Sequence, residues 1–314
     1  MHPHLETFHD GYWYCYANST AMLLASIGET VSPRLIEVLS GVGLGAFQTD
    51  SGLPFFSGLA GLPDRGISAA LEMLGFACEE AASGEAEADP IDRLPALLER
   101  SPVLLGPLDM RHLTYNPMRP QFPGVDHFVL ALGMSGNAIR LHDPAGFAHA
   151  LIDRENLKEA WKADAIGYKR GHYRYWTRPR RLRLVSAHAL HERAMSYFGE
   201  LHRRAVALAA QRGGKIDGAL IRHWATLAKD DGFDAAQLGH LTRFALPLGV
   251  KRALDFAAFF DGRENELAAL KRRQAVAFGA CHSHVVAGAW PAAGDQLRRL
   301  ADIEDTIIGH LERR

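Results

Sequence analysis

The sequence predicts an α+β protein: N-terminal helices followed by an antiparallel sheet, and then an all-α helical lobe. Three observations carry that expectation. Short β-like apolar runs gather between Val103 and Thr177, after a helical stretch and not alternating with it, which argues against a doubly wound parallel sheet. Beyond Val185 the chain turns rich in Ala, Leu and Arg, with apolar residues recurring at three and four. The charge balance changes at the same place, because residues 1–180 hold 15 basic and 21 acidic side chains and residues 181–314 hold 20 and 15. Two domains follow, 1–185 and 186–314.

The elements fall in order along the chain. Cys15 to Ile27 carries a helical apolar stripe of Ala17, Ala21, Met22, Leu23, Leu24 and Ile27, closed by Gly28 as a C′ residue. A second helix runs from Ser32 or Pro33 to about Ser40, and Gly41-Val-Gly-Leu-Gly45 follows as a flexible loop. Ile67–Gly75 and Ile91–Arg100 read as short helices, with the acidic stretch Ala81–Pro90 between them as an exposed connection. Strand-like runs lie at Val103–Leu105, His127–Leu132, Ala138–Leu141 and Tyr173–Thr177, with Gly133–Asn137 as a hairpin loop. Helices are expected near 186–212, 216–230, 234–260, 264–289 and 295–312, punctuated by Gly213-Gly214, Gly232, Gly262 and Pro291.

Composition excludes several function classes. With 35 Lys+Arg against 36 Asp+Glu, no whole-chain field would hold nucleic acid or an anionic membrane. The longest apolar runs fall short of the roughly 18 residues that a membrane helix needs, and Met1-His-Pro-His-Leu-Glu6 lacks a basic leader region. Cys15, Cys78 and Cys281 are odd in number and widely scattered, so neither a complete disulfide framework nor a zinc site is expected. A cytoplasmic protein is the expectation, with no metal and no bound cofactor. Cys281-His-Ser-His284 offers two ligands on neighbouring helical turns, too few for structural zinc, and is expected to be a partly buried helix segment.

The chemistry-bearing residues are Cys15, His127 and Asp143. Cys15 begins its helix, where the partial positive charge of the N-terminus favours a thiolate. A cysteine in that position is also a common small hydrophobe of the core, so the histidine and the acid matter. His127 opens one strand and Asp143 closes the next, and antiparallel pairing through the Gly133–Asn137 loop brings both to one end of the hairpin. Imidazole and carboxylate then touch, the carboxylate fixes the tautomer, and the imidazolium keeps Cys15 ionised.

Order and setting resemble a known family. The residues that carry the likeness are Tyr14-Cys-Tyr-Ala-Asn-Ser-Thr-Ala-Met-Leu-Leu24, Gly28, Ser32, Gly41–Gly45, Gly106-Pro-Leu-Asp-Met110, Leu113-Thr-Tyr115, Asp126-His-Phe-Val129 and His142-Asp-Pro144. Over about residues 8–180 the chain resembles the butirosin biosynthesis protein H N-terminal domain family, within the papain-like cysteine fold. The resemblance implies a Cys-His-Asp triad, with Cys15 as nucleophile, His127 as base and then acid, and Asp143 as orienter. It also implies an acyltransferase that takes an acyl group from a carrier-protein or other thioester and passes it to an amine. The co-substrate would be an acyl-phosphopantetheine carrier, and Gly41–Gly45 would be a tight turn near the cleft. A thiol peptidase or amidase of C39-like type, and a papain-like binding module without catalysis, are the alternatives.

The chain departs from the family pattern in two places. Tyr14 stands where the family has a histidine before the nucleophile, and no glutamine precedes Cys15 as an oxyanion donor. The backbone N–H of Cys15 is then one donor, with His9 or Tyr12 as the second. His9, Tyr12 and Tyr14 in the lead-in, with Asp109 before and Tyr115 within a long Pro- and Gly-containing loop beside the catalytic strand, are expected to touch substrate, against the alternative that Asp109 and Tyr115 only brace the loop. Gly41–Gly45 lacks the strand before it and the Lys-Ser/Thr after it that a phosphate loop needs. Basic groups such as Arg178–Arg183 and Lys271–Arg273 would suit an acidic acyl carrier protein, and the helical lobe would suit a homo-oligomer contact.

Overall fold

The structure is a computed structural model that describes residues 6–85, 90–230 and 233–313; the side chains of Tyr12 and Asp230 also lie outside the described residues. The first elements in chain order are a 3₁₀ turn Tyr12–Tyr14, helices α1 (Cys15–Ala25) and α2 (Pro33–Ser40), and the short paired strands β1 (Phe47–Gln48) and β2 (Pro54–Phe55). Then come α3 (Pro63–Met73), β3 (Phe76–Ser83), α4 (Leu94–Leu98), β4 (Val103–Asp109), β5 (Asp126–Ser135), β6 (Ala138–Asp143), β7 (Phe147–Asp153), α5 (Arg154–Lys162) and β8 (His172–Arg181). Helices complete the chain: α6 (Ala187–Arg212), α7 (Asp217–Asp230), α8 (Ala235–His240), α9 (Leu246–Phe260), α10 (Asn265–Val286) and α11 (Trp290–Glu312). The fold is α+β, with an antiparallel sheet in the first half and helices throughout the second. Among the described residues, no helix is long and apolar enough to cross a membrane.

Two compact units result, but they are not two consecutive pieces of chain. One comprises Met1–Ile36 with Pro63–Val185, and the other Glu37–Leu62 with Ser186–Arg314. The division after Val185 coincides with the change in charge and periodicity. The segment Glu37–Leu62 departs from the 1–185 boundary, because its buried groups find their partners among the C-terminal helices. Arg252 holds the Glu37 carboxylate at 2.7 Å and the Ser57 hydroxyl at 2.7 Å, and Asp217 accepts the Ala46 N–H at 2.9 Å. Gly41–Gly45 therefore packs within the helical unit: a Cβ on Gly41 would lie 2.4 Å from Leu201, and one on Gly43 2.9 Å from Arg252. The loop thus belongs to the unit built on the C-terminal helices and not to the unit that holds the sheet.

In the sheet unit, six antiparallel strands run in the order β3-β8-β4-β5-β6-β7. The core on this sheet gathers Val103, Leu105, Leu108, Val129, Ala131, Ile139, Leu141 and Trp161. Helix α1 is buried along most of its length, and the Ser19 hydroxyl donates to the Phe128 carbonyl at 3.0 Å, tying the helix to β5. Three elements escaped the sequence pattern. β3 occupies part of the stretch expected as an exposed connection. After Phe76 its run Ala-Cys-Glu-Glu-Ala-Ala-Ser holds no β-branched or aromatic residue, but it is an edge strand paired only with β8. β7 and α5 were likewise absent from the expectation, the helix being started by Asp153, whose carboxylate accepts the Asn156 N–H at 2.9 Å.

In the helical unit the expected helix 234–260 is interrupted by a π-helical turn at Leu241–Ala245, just before Pro247, which has no N–H to continue the ladder. The last helix begins at Trp290 with Pro291 in its first turn, where a missing N–H costs nothing, and not at 295. The core collects Phe56, Trp224, Leu241, Leu246, Phe278, Cys281, Leu297 and Leu300. Cys281 is buried on α10 and His282 meets the Thr242 carbonyl at 3.0 Å.

Candidate active site

The site is assembled at the N-terminus of α1. Gly11 donates to the Pro144 carbonyl at 2.9 Å, and the Asn18 amide donates to the carbonyls of Gly11 and Tyr14 at 2.9 and 3.0 Å. A Cβ on Gly11 would stand 2.4 Å from the Asn18 amide nitrogen, so only glycine lets the lead-in run this close to the helix. The lead-in thereby fixes Cys15 next to the turn that carries Asp143.

His127 and Asp143 meet as the hairpin requires. β5 and β6 pair with Leu130 opposite His142, which places the first residues of one strand beside the last of the other. His127 Nε2 lies 2.6 Å from Asp143 Oδ1, and both side chains are buried. The Cys15 thiol hydrogen-bonds to His127, which leaves Nδ1 as the ring nitrogen on the sulfur side. Sulfur, imidazole and carboxylate therefore form one continuous relay.

Electrostatics of the relay follow from burial and partners. Burial pushes the Cys15 thiol up, while the His127 hydrogen bond and charge and the Tyr16 N–H pull it down and Asp126 opposes them. The expected helix-terminal activation is thus outweighed by desolvation. Burial disfavours the His127 imidazolium, yet Asp143 and Cys15 more than offset it and the histidine ends well above its usual range. Burial also raises Asp143, but His127, the Ala145 N–H and the Tyr115 hydroxyl outweigh it and hold the carboxyl below its usual value. Cys78 and Cys281 have no such partners, and desolvation drives each to about 12. All three cysteines are free thiols.

The other expected site residues take varied positions. Tyr115 donates from its hydroxyl to Asp143 Oδ2 at 2.8 Å, behind the relay. Asp109 is buried, and its Oδ1 accepts the N–H groups of Arg111 and Gly124, both at 3.0 Å, so it braces the two ends of the loop before β5. Tyr14 is buried at the start of the helix. His9 is half-buried, and burial lowers its pKa. The Tyr12 side chain lies outside the described residues.

One pair was missed by sequence reasoning. Tyr168 donates its hydroxyl to Asp126 Oδ2 at 2.7 Å, and both groups act electrostatically on Cys15. Forty-two positions separate them, with no spacing signal to join them. Nearby, Asp64 is fully buried and held by Arg170 at 2.7 Å, and Arg170 and Arg174 both bridge to Glu80. No group of three or more metal-ligating side chains occurs among the described residues.

Comparison with known proteins covers both units. Residues 211–312 match the family model described as the YobF C-terminal domain, which falls inside the helical unit. The uncharacterized protein YobF of Bacillus subtilis (strain 168) is 39% identical over 294 residues, covering 94% of each chain. On that likeness, the chain belongs to the YobF family.

Proposed function

We propose that the chain is a cysteine-dependent acyltransferase that carries its acyl group on Cys15. The observation that supports this most directly is the continuous relay from the Cys15 thiol through His127 to a carboxylate held by three donors. His127 Nδ1 takes the thiol proton as Sγ attacks the carbonyl carbon of a thioester. The oxyanion forms beside the first-turn N–H groups of α1, including that of Cys15, which a helix leaves without intrahelical partners. Collapse expels the donor thiol, which leaves with the proton from the imidazolium, and the acyl group stays on sulfur. An amine then attacks, His127 accepts its proton, and the amide departs as Cys15 recovers its hydrogen.

Asp143 does not exchange protons in this cycle. It stabilises the imidazolium in both halves, which is why its own pKa is held low. The resemblance to the papain-like butirosin biosynthesis protein H family supplies the donor and acceptor classes: an acyl-phosphopantetheine carrier or small thioester, and an amine. Three free thiols and the absence, among the described residues, of a helix able to cross a membrane are consistent with the cytoplasm as its compartment.

The test is intact-protein mass after incubation with a panel of acyl-pantetheine thioesters. Native protein should gain one acyl group, and Cys15→Ala should gain none. His127→Ala should slow acylation by on the order of a hundred- to ten-thousand-fold, the range of general acid–base catalysis. Aminolysis exceeding hydrolysis when amines are added supports transfer. Hydrolysis alone would make the chain a thiol hydrolase, and no adduct on any thioester would overturn the reading.

A further inference from the structure

Asp109 carries a buried charge that the relay does not touch. It closes β4 one residue beyond Leu108, which pairs with His127, and it pairs in turn with Asp126. The residue is 5% exposed, and no described lysine, arginine or histidine forms an ion pair with it. Its carboxylate holds backbone instead, because Oδ1 accepts the Arg111 N–H and the Gly124 N–H, each at 3.0 Å. These two donors stand at opposite ends of the loop 110–125. One oxygen therefore clips the loop at its base, beside the bond from the Met110 N–H to the Val125 carbonyl at 3.0 Å. Bonds from N–H to a carboxylate are stronger than bonds to a neutral acceptor, which suits an oxygen that holds both ends at once.

The same loop delivers Tyr115. Hydrogen-bonded turns link the clip to the phenol: the N–H of fully buried Leu113 meets the Met110 carbonyl at 3.1 Å, and the Asn116 N–H meets the Leu113 carbonyl at 2.9 Å. Asn116 is buried too, and its Oδ1 accepts the Met118 N–H at 2.9 Å. The Tyr115 ring stands edge-on to Phe147, with centroids 5.6 Å apart, and its hydroxyl donates to Asp143 Oδ2 at 2.8 Å. Asp143 Oδ1 is already shared by His127 at 2.6 Å and the Ala145 N–H at 2.7 Å. Donors on both oxygens fix the rotation of the carboxylate, whereas a carboxylate held by Oδ1 alone can turn about that contact. A long loop that is free at its base loses conformational entropy each time it presents its phenol, and a clip at the base removes that cost in advance.

We propose that Asp109 is a positioning residue of the relay: by clipping both ends of the loop 110–125 it holds the Tyr115 hydroxyl on Asp143 Oδ2, and so sets the angle at which the carboxylate meets His127. The inference rests on Cys15, His127 and Asp143 forming the reactive relay. Asp109 acts on the chemistry only through Tyr115. Releasing the clip leaves the imidazolium less well supported by Asp143, and the Cys15 thiolate less well supported by the imidazolium.

The experiment measures alkylation of Cys15 by iodoacetamide on the full chain, by peptide mass, from pH 6 to 9. Asp109→Ala and Tyr115→Phe should each slow the reaction about three- to tenfold at pH 7 and move its profile to higher pH by up to about one unit. The double variant should be no slower than the slower single, whereas independent effects would multiply to on the order of ten- to a hundredfold. Asp109→Asn, which keeps an acceptor oxygen for both N–H groups, should stay within about twofold of the native rate. Gly124→Ala carries the same test if Asp109→Ala does not fold: the Ala165 Cβ leaves it room at 3.5 Å, but the φ of 70° strains the clipped N–H, so the same shift is expected in smaller size and without further loss on Tyr115→Phe. A lowered melting temperature with an unmoved pH profile, multiplicative losses in the double variant, or an Asn variant as slow as the Ala variant overturns the inference. Native alkylation that is indifferent to His127→Ala would overturn the relay and the inference with it. Acylation by thioesters is scored separately, so the expected shifts without acylation would retain the role of Asp109 and reject the acyl-transfer reading.

Discussion

Each unit buries a set of ionisable side chains, and the two sets are built differently. In the sheet unit every link ends on the next, from Cys15 to His127 to Asp143, and Asp143 is further held by Tyr115 and Ala145. In the helical unit, Lys271 meets the Gln274 carbonyl oxygen at 2.9 Å, the Gln274 amide meets Glu304 at 2.5 Å, and Arg252 meets Glu37 at 2.7 Å. There, Glu37 Oε2 and Glu304 Oε1 are buried without a hydrogen-bond partner, and Lys271 lies against the Phe256 ring with its pKa lowered by burial. The first set converges on one polarisable atom, the Cys15 sulfur, whereas the second, among the described residues, runs through the Gln274 amide and leaves carboxylate oxygens unmatched. Buried charge by itself is therefore not a sign of catalysis; convergence on a reactive atom is.

That contrast can be broken most severely at the nucleophile. Replacing Cys15 with Ala should remove acyl-adduct formation altogether, at least a thousand-fold by mass spectrometry, while Cys281→Ala should leave it intact. Persistence of the adduct in Cys15→Ala would mean that another thiol is the acceptor. Asp143→Asn should cut the acylation rate by on the order of a hundred- to ten-thousand-fold with little loss of fold, because the imidazole loses its anionic partner. A full-rate Asp143→Asn protein would show that the relay stops at His127.

The helical set should announce itself in stability and not in rate. Burial, then Glu304, Asp305 and Glu312, push Asp217 up to about 7 against an ordinary 3.8. A carboxyl whose folded pKa is raised contributes stability that is fully present below its unfolded value, and that stability is lost as pH climbs through the folded value. Unfolding free energy should therefore fall by up to about 4 kcal/mol between pH 4 and 8, at 1.36 kcal/mol per unit, less whatever His202 at 3.5 Å returns. Asp217→Asn should flatten this slope in urea titrations, since asparagine accepts the Ala46 N–H and tolerates the left-handed φ of 52°. An unchanged slope would move the titration to another group. The smallest effect is expected for Tyr115→Phe, which deletes one of three donors to Asp143 and should slow acylation about five- to tenfold, the net value of one ordinary hydrogen bond.

Much of the relay was legible because it is written in local patterns. A histidine and an aspartate at facing ends of one hairpin are brought together by strand pairing, and a cysteine opening an apolar helix is read from the helical pattern itself. The supporting contacts were not, because Tyr115 reaches Asp143 across 28 positions and Tyr168 reaches Asp126 across 42. Such contacts depend on where a long loop lays its aromatic ring, which no periodicity encodes. β3 was hidden because its Ala and Glu residues prefer helix when alone and are drawn into the sheet by pairing with β8. The break after Val185 left a composition step. The excursion Glu37–Leu62 left none, since its few buried polar groups matter through their partners and not through their number.

That excursion sets what can be transplanted. A gene fragment beginning at Ser186, or the 211–312 region alone, would arrive without the carboxylate that faces Arg252, without Ser57, and without the Ala46 amide that occupies Asp217. Its hydrophobic face would also be short of Phe56, which stacks edge-on against Trp224 and Phe278. The helical half is thus an unsuitable cassette for fusion or domain exchange as a simple C-terminal cut. A faithful graft would have to carry residues 37–62 with it, for instance by joining them ahead of Ser186 through a designed linker, so that inheritance of this half is tied to a segment about 120 residues upstream of it.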